Sequence, residues 1–126
     1  MEVPSNLKYT KDHEWIKMID DKNAMVGITY FAQSELGDIV YIDINTVDST
    51  LKAGDAFGTV EAVKTVSDLL MPVAGKVLEV NSELENQPEL VNTNPFDKGW
   101  MMKMEVENPA ELDNLLDAAA YEALIG

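Results

Sequence analysis

Lys64 is the residue best placed to do chemistry. It stands in Thr59-Val60-Glu61-Ala62-Val63-Lys64-Thr65-Val66-Ser67-Asp68, between two β-rich runs, with Glu61 before it, Asp68 after it and the turn Pro72-Val73-Ala74-Gly75 beyond. A lysine so placed is expected at a hairpin tip, with its amine held in water where a second enzyme can reach it. Val60, Val63 and Val66 are β-branched and would stiffen the two arms of that hairpin. The two carboxylates offer a docking charge to a modifying enzyme with a basic surface. A rigid tip bearing one mobile amine suits a covalently attached arm that visits several active sites.

Other residue types narrow the chemistry. The chain has no cysteine, so it has no disulfide, no thiolate metal site and no cysteine nucleophile, and any sulfur chemistry must arrive on an attached group. His13 is the sole histidine. Without a second imidazole or a thiol it makes a poor metal site, and it reads as a structural residue at a strand start with Trp15 as its packing neighbour. Glu83, Glu85 and Glu89 lack the tight spacing of a calcium loop and read as a solvated face. Tyr30, Phe31 and Trp100 read as core. Neither a serine–histidine–acid pattern nor a glycine-rich phosphate loop is present.

Charge excludes further classes. Nine lysines face 23 carboxylates, arginine is absent, and the net charge is −14. Such a surface repels nucleic acid and lacks the planar group that clamps phosphates. Basic protein surfaces are the expected partners, and the mutual repulsion of copies predicts a monomer. The N-terminus, Met1-Glu2-Val3-Pro4-Ser5-Asn6, has no signal or transit character, and no run approaches a membrane span, so a bacterial cytoplasmic protein is expected.

The elements that must position Lys64 follow from periodicity. The 126 residues, 46% of them hydrophobic, fit one domain with a real core. A hairpin is expected from His13-Glu14-Trp15-Ile16-Lys17-Met18 and Ala24-Met25-Val26-Gly27-Ile28 around the polar turn Asp20-Asp21-Lys22-Asn23. The run Ile39 to Ile44 alternates into the faces Val40/Ile42/Ile44 and Ile39/Tyr41/Asp43. Further strands fit 56–63, 66–71, 76–80 and 100–106. Thr29 can cap a short helix over 30–36 that Gly37 ends. Asn108-Pro109-Ala110-Glu111 forms a capping box opening a helix over about 109–125, with Leu112, Leu115, Leu116, Ala119, Ala123 and Leu124 as its apolar stripe. The glycine-led runs Gly37-Asp38-Ile39-Val40-Tyr41-Ile42 and Gly75-Lys76-Val77-Leu78-Glu79-Val80 echo each other and suggest two folded-over halves with Lys64 between them.

Several segments resemble one family in order and spacing. Leu7-Lys8-Tyr9-Thr10-Lys11-Asp12-His13-Glu14-Trp15, Val26-Gly27-Ile28-Thr29-Tyr30-Phe31-Ala32-Gln33, Glu35-Leu36-Gly37-Asp38-Ile39-Val40, the Lys64 stretch, Pro88-Glu89-Leu90-Val91-Asn92 and Gly99-Trp100 are similar to the H proteins of the glycine cleavage system, over about 7–125. The resemblance implies a mainly β, lipoyl-domain-like flattened β-barrel sandwich with a short inserted helix and a C-terminal helix, the β core spanning about 24–106 of a single domain. It implies lipoic acid in amide linkage on Lys64, which would take the net charge from −14 to −15.

The chain would then be a carrier and not an enzyme. It would take the aminomethyl group of glycine from a pyridoxal-phosphate glycine decarboxylase to a tetrahydrofolate-dependent aminomethyltransferase, and be reoxidised by the flavin enzyme dihydrolipoyl dehydrogenase. A lipoate ligase, or an octanoyltransferase with lipoyl synthase, would install the arm, with Glu61 and Asp68 recognised during attachment. Glu14 is implied beside a groove that shelters the loaded arm, with Asp68 near, where a carboxylate could pair with a protonated amine. Ala62 replaces a serine frequent in the family, Glu35 replaces a histidine found in some relatives, and Asp12 is given no role. Met102-Lys103-Met104 resembles the biotin-carrier triplet, but it lies in a strand leading to Asn108-Pro109, and Lys103 reads as structural. Two alternatives to the carrier reading are a relay that hands lipoyl groups to other carriers and an acidic adaptor that kept only the fold.

Overall fold

The computed structural model describes residues 2–126. In chain order its elements are β1 (Lys8–Tyr9), β2 (Glu14–Met18), β3 (Asn23–Ile28), α1 (Tyr30–Leu36), β4 (Ile39–Asp43), β5 (Thr50–Leu51), β6 (Ala56–Ala62), β7 (Val66–Leu70), β8 (Gly75–Val80), a 3-10 turn (Ser82–Glu85), α2 (Leu90–Thr93), β9 (Met102–Val106), a second 3-10 turn (Pro109–Asn114) and α3 (Ala118–Ile125). Two sheets form, ordered β1-β2-β3-β9-β8-β5 and β4-β6-β7. The fold is mainly β and the sheets remain two layers rather than a closed barrel.

The β2–β3 hairpin follows from its turn chemistry. Asp20 Oδ1 accepts from the N–H groups of Lys22 and Asn23, an Asx-type closure that fixes the register Ile16↔Val26. Ile16, Val26, Val60, Leu69, Val77, Met102 and Met104 then meet in the core between the sheets. Among the described residues, no helix is long and apolar enough to cross a membrane.

β4 departs from the expected alternation. A bulge shifts the pairing between Ile39 (opposite Ala62) and Tyr41 (opposite Glu61). The extra residue puts Ile39 and Ile42 into the core, leaving Val40 and Tyr41 about half exposed. The echo between the glycine-led runs does place its two members, β4 and β8, in different sheets. Lys64, however, lies in the turn joining β6 to β7 of the same three-stranded sheet and does not connect the halves.

The C-terminal segment, expected as one helix over 109–125, is two short ones. Asn108 Oδ1 accepts from Ala110 N–H and opens the 3-10 turn. Leu115 is then extended (φ −86°, ψ 167°), because Leu116 and Tyr9 exchange backbone hydrogen bonds of 2.9 and 2.8 Å. That tertiary bridge outweighs continued helix, and Asp117 re-caps the chain through Ala120 N–H. The apolar stripe moves with the break. Leu112 and Tyr121 are buried, whereas Ala119, Ala123 and Leu124 face water.

A second cluster, Leu7, Tyr9, Trp15 and Tyr121, ties the two ends of the chain together. Trp15 lies across Gly27, where a Cβ would come within 2.8 Å of the indole, and its Nε1–H donates to Pro95 O.

Candidate functional site

Lys64 is where the hairpin reading put it. β6 and β7 pair antiparallel through Glu61↔Val66, and Val63-Lys64-Thr65 forms the tip. Ala62 N–H donates to Thr65 O, and Val63 N–H crosses to Asp38 O, so the backbone beneath the lysine is fixed. The side chain is exposed, and among the described residues the ion pair formed is Lys103 Nζ to Glu79 Oε1, elsewhere in the molecule. Val63 (76%) and Val66 (62%) are exposed beside it, so only Val60 stiffens the hairpin from within the core.

The stem of Lys64 passes over Gly37. A Cβ built on that glycine would stand 3.5 Å from Lys64 Cε. Gly37 (φ 79°, ψ −156°) ends α1 in a conformation open to glycine, as expected, and its N–H closes on Gln33 O. Asn92, on α2, holds this platform with three hydrogen bonds. Its Nδ2 donates to Gln33 Oε1 and Gly37 O, both at 2.9 Å, and its Oδ1 accepts from Ile39 N–H at 3.0 Å.

A cleft of about 210 Å³ lies beside the hairpin, between α1 and β7. His13 and Glu14 meet Phe31, Glu35 and Leu36 across from Ser67 and Asp68 in its lining. Ser67, the second residue of β7, is three positions beyond Lys64. The structure thus brings Glu14 and Asp68 to one cleft, and leaves Glu61 and Lys64 outside its lining.

Glu14 lies beside the cleft, as expected, and is buried. It is 2% exposed, with Oε2 accepting from Leu70 N–H at 2.9 Å and Oε1 accepting from Thr10 Oγ1–H at 3.1 Å. Burial pushes its pKa up to about 8, over the opposing pull of those two donors. At neutral pH that shift favours a protonated Glu14. Asp68 and Glu61 are exposed, as docking charges would need to be.

His13 adopts a left-handed backbone (φ 66°) and turns its ring onto Phe31 (4.7 Å between centroids) and edge-on to Tyr121 (5.8 Å). Its expected neighbour, Trp15, packs on Phe96 instead, because His13 lies before β2 in a left-handed conformation that takes its ring out of the strand's alternation. Burial holds the imidazole below its ordinary range against the pull of Asp12 and Glu35.

The remaining expectations divide. Phe31 lines the cleft, Tyr30 is 40% exposed, and Trp100 is half-buried under Lys103 Nζ at 4.9 Å. Lys103 lies in a strand, β9, as expected, while Glu83, Glu85 and Glu89 face water. Asn92 and Tyr121 escaped the sequence reading. Asn92 lies in one of the quoted segments, but nothing local marks a side chain whose partners are 53 to 59 residues away.

The sequence matches the glycine cleavage H-protein family over residues 7–126. Glycine cleavage system H proteins of Chlorobium luteolum and Symbiobacterium thermophilum are 58% and 56% identical to it, covering 100% and 96% of this chain and 99% and 94% of theirs. The crystal structure of an H protein from Mycobacterium marinum superposes with a TM-score of 0.90 at 36% identity, over 98% of this chain and 99% of that one. The fold agrees with these matches: the chain belongs to the glycine cleavage H-protein family, the lipoyl carriers of the glycine cleavage system.

Proposed function

We propose that Lys64 is the lipoyl attachment residue and that the cleft between α1 and β7 shelters the far end of the arm. The observation that carries this is the exposed amine, in no ion pair among the described residues, on a backbone pinned by Asp38, Ala62 and Thr65, with the cleft residues Ser67 and Asp68 just beyond it on β7. The residues present suit the group. Gly37 lacks the side chain that would crowd the stem of Lys64, and Phe31, Leu36 and Leu69 give the cleft apolar walls. When bound, the lipoyl group supplies a reducible disulfide able to accept and yield a one-carbon amine, and the visited enzymes supply the acid–base chemistry.

Glu14 is the residue we assign to a cationic occupant. A protonated amine entering beside it would favour the ionised carboxyl, so entry releases a proton to water and leaves a charge-assisted pair in a poorly hydrated site. Leu70 N–H and Thr10 Oγ1 already hold both oxygens, so the carboxylate needs no rearrangement to form that pair. Asp68, at the rim, adds negative potential at the entrance. Glu61 and Asp68 together present the acidic collar that an attaching enzyme reads.

The partners are the glycine decarboxylase, aminomethyltransferase and dihydrolipoyl dehydrogenase of the system, together with the lipoate-attaching enzymes. The bacterial relatives support a cytoplasmic setting. The test is intact-mass spectrometry with peptide mapping after exposure to lipoate and an attaching enzyme, beside Lys64→Arg. One lipoyl adduct on the Lys64 peptide, lost in the variant, is expected. An adduct on Lys103, or none, overturns the assignment.

A further inference from the structure

The last helix reaches the cleft through a single hydroxyl. Tyr121 is 1% exposed and stacks on Tyr9 at 4.7 Å with an 11° interplanar angle. Its hydroxyl lies 2.7 Å from Thr29 Oγ1 and 2.9 Å from His13 Nδ1. Both neighbours belong to the cleft's frame. Thr29 caps α1, which forms one wall, and His13 lines the interior.

Counting hydrogens gives this chain a direction. Thr29 is 1% exposed, and its Oγ1 already accepts from Ala32 N–H at 3.2 Å, so its own hydrogen needs an acceptor. The Tyr121 oxygen provides one. The Tyr121 hydrogen then goes to His13 Nδ1, which places the hydrogen of the neutral imidazole on Nε2. The reverse order, Nδ1–H to Tyr121 to Thr29, strands a buried hydroxyl hydrogen, an arrangement folded proteins avoid.

We propose that Tyr121 is a positioning residue of the cleft: its hydroxyl fixes His13 as the Nε2–H tautomer and ties it to the cap of α1, so that the cleft keeps the shape that excludes water from its occupant. With Nδ1 engaged, Nε2–H is the polar edge of His13 left to serve the cleft. The titratable groups that line the cleft with His13 are Asp12, Glu14, Glu35 and Asp68, and Phe31 packs against its ring. α3, remote in sequence from every other cleft residue, thereby acts on the site. The inference rests on the reading that the cleft shelters the loaded arm.

His13 is the sole histidine, so its ring nitrogens can be observed without ambiguity by 15N NMR on the unmodified protein. The wild type should show the Nε2–H signature. In Tyr121→Phe, which keeps the aromatic ring but not the hydroxyl, population should move toward Nδ1–H. Hydrolysis of the loaded arm should also accelerate by about threefold to tenfold, the scale of one lost hydrogen bond. A wild-type Nδ1–H imidazole overturns the proposal, and this measurement decides even if the variant does not fold. A changed tautomer with an unchanged hydrolysis rate overturns it too. Ser67→Trp, at an exposed position of the cleft lining, separates the two layers of the argument. If this obstruction accelerates hydrolysis and Tyr121→Phe does not, the sheltering reading stands and Tyr121 loses its role. If Ser67→Trp has no effect, the sheltering reading itself fails.

Discussion

The tip of the β6–β7 hairpin and the cleft beside it are built on opposite principles. At the tip, Lys64 and its neighbours Val63, Thr65 and Val66 are exposed, and Lys64 forms no ion pair among the described residues. In the cleft, Glu14 is buried with both oxygens bonded, and it titrates far from its ordinary range. The difference separates two requirements of a carrier. A lysine that several proteins must engage is best left unencumbered, whereas a site that must exclude water needs a rigid, desolvated frame. The frame costs stability and the tip costs little, so substitutions should sort by which of the two they touch.

The largest effect should come from Glu14. Its folded-state pKa is about 8, above the ordinary 4.5, so the folded protein binds the proton more tightly than the unfolded chain. This group's contribution is fully present below about pH 4.5, declines between 4.5 and 8, and is lost above 8. Glu14→Gln mimics the protonated form and does not titrate. Relative to the variant, the wild type should lose about 4–5 kcal/mol of stability between pH 4 and pH 9. Chemical denaturation of both proteins across that range measures it. Parallel curves would show that Glu14 does not titrate in the window and would return it to the open character of the tip.

Asn92→Ala should follow. It strips three partners from Gln33, Gly37 and Ile39 at the joint between α1 and β4, and should cost about 1–3 kcal/mol. Lys64 should still be modified, since the strands of the hairpin pair independently of Asn92. Denaturation and adduct formation, measured on the same preparation, test both halves. A variant that kept its stability but lost modification would mean that the joint serves the tip and not the frame.

Gly37→Ala probes the point where the two regions touch. The positive φ should cost about 1–2 kcal/mol. The new Cβ would meet Lys64 Cε at 3.5 Å, an ordinary contact, so the attachment rate should be nearly unchanged. A large loss of attachment with little loss of stability would show that the lysine stem depends on the space above Gly37.

How much of this was legible in the sequence follows the range of the forces involved. The β2–β3 hairpin, the cap at Thr29 and the stop at Gly37 are set by residues a few positions apart, and all three were readable. Lys64 was readable because two strands and a turn bracket it. What failed depended on distant partners. Leu116 leaves the helical stripe because Tyr9 pairs with it, and Ile39 and Ile42 share a face because of a bulge that residue types do not announce. Glu14 was placed beside the cleft by resemblance, but its burial, which favours the protonated form, and the opposing N–H of Leu70, 56 residues away on β7, are set by the fold. Tyr121 reads as one aromatic in an alanine-rich helix until the fold sets its hydroxyl between Thr29 and His13.

The smallest effect belongs to the tip itself. Glu61 and Asp68 are exposed and make no ion pair with Lys64 among the described residues, so Glu61→Gln and Asp68→Asn should leave stability within about 0.5 kcal/mol of wild type. Their role, if they are docking charges, lies in the encounter with a basic enzyme, and encounter rates respond to charge and to ionic strength. Each substitution should lower the rate of lipoate attachment by about twofold to fivefold at low salt, with the deficit shrinking as salt rises past the range where the Debye length is about 10 Å. Asp68→Asn should also change the arm's hydrolysis and Glu61→Gln should not, because Asp68 lines the cleft and Glu61 does not. Equal hydrolysis in both variants would confine Asp68 to docking and leave Glu14 as the acidic partner of a cationic occupant. A salt-independent deficit in attachment would mean that the enzyme reads the shape of the hairpin and not its charge.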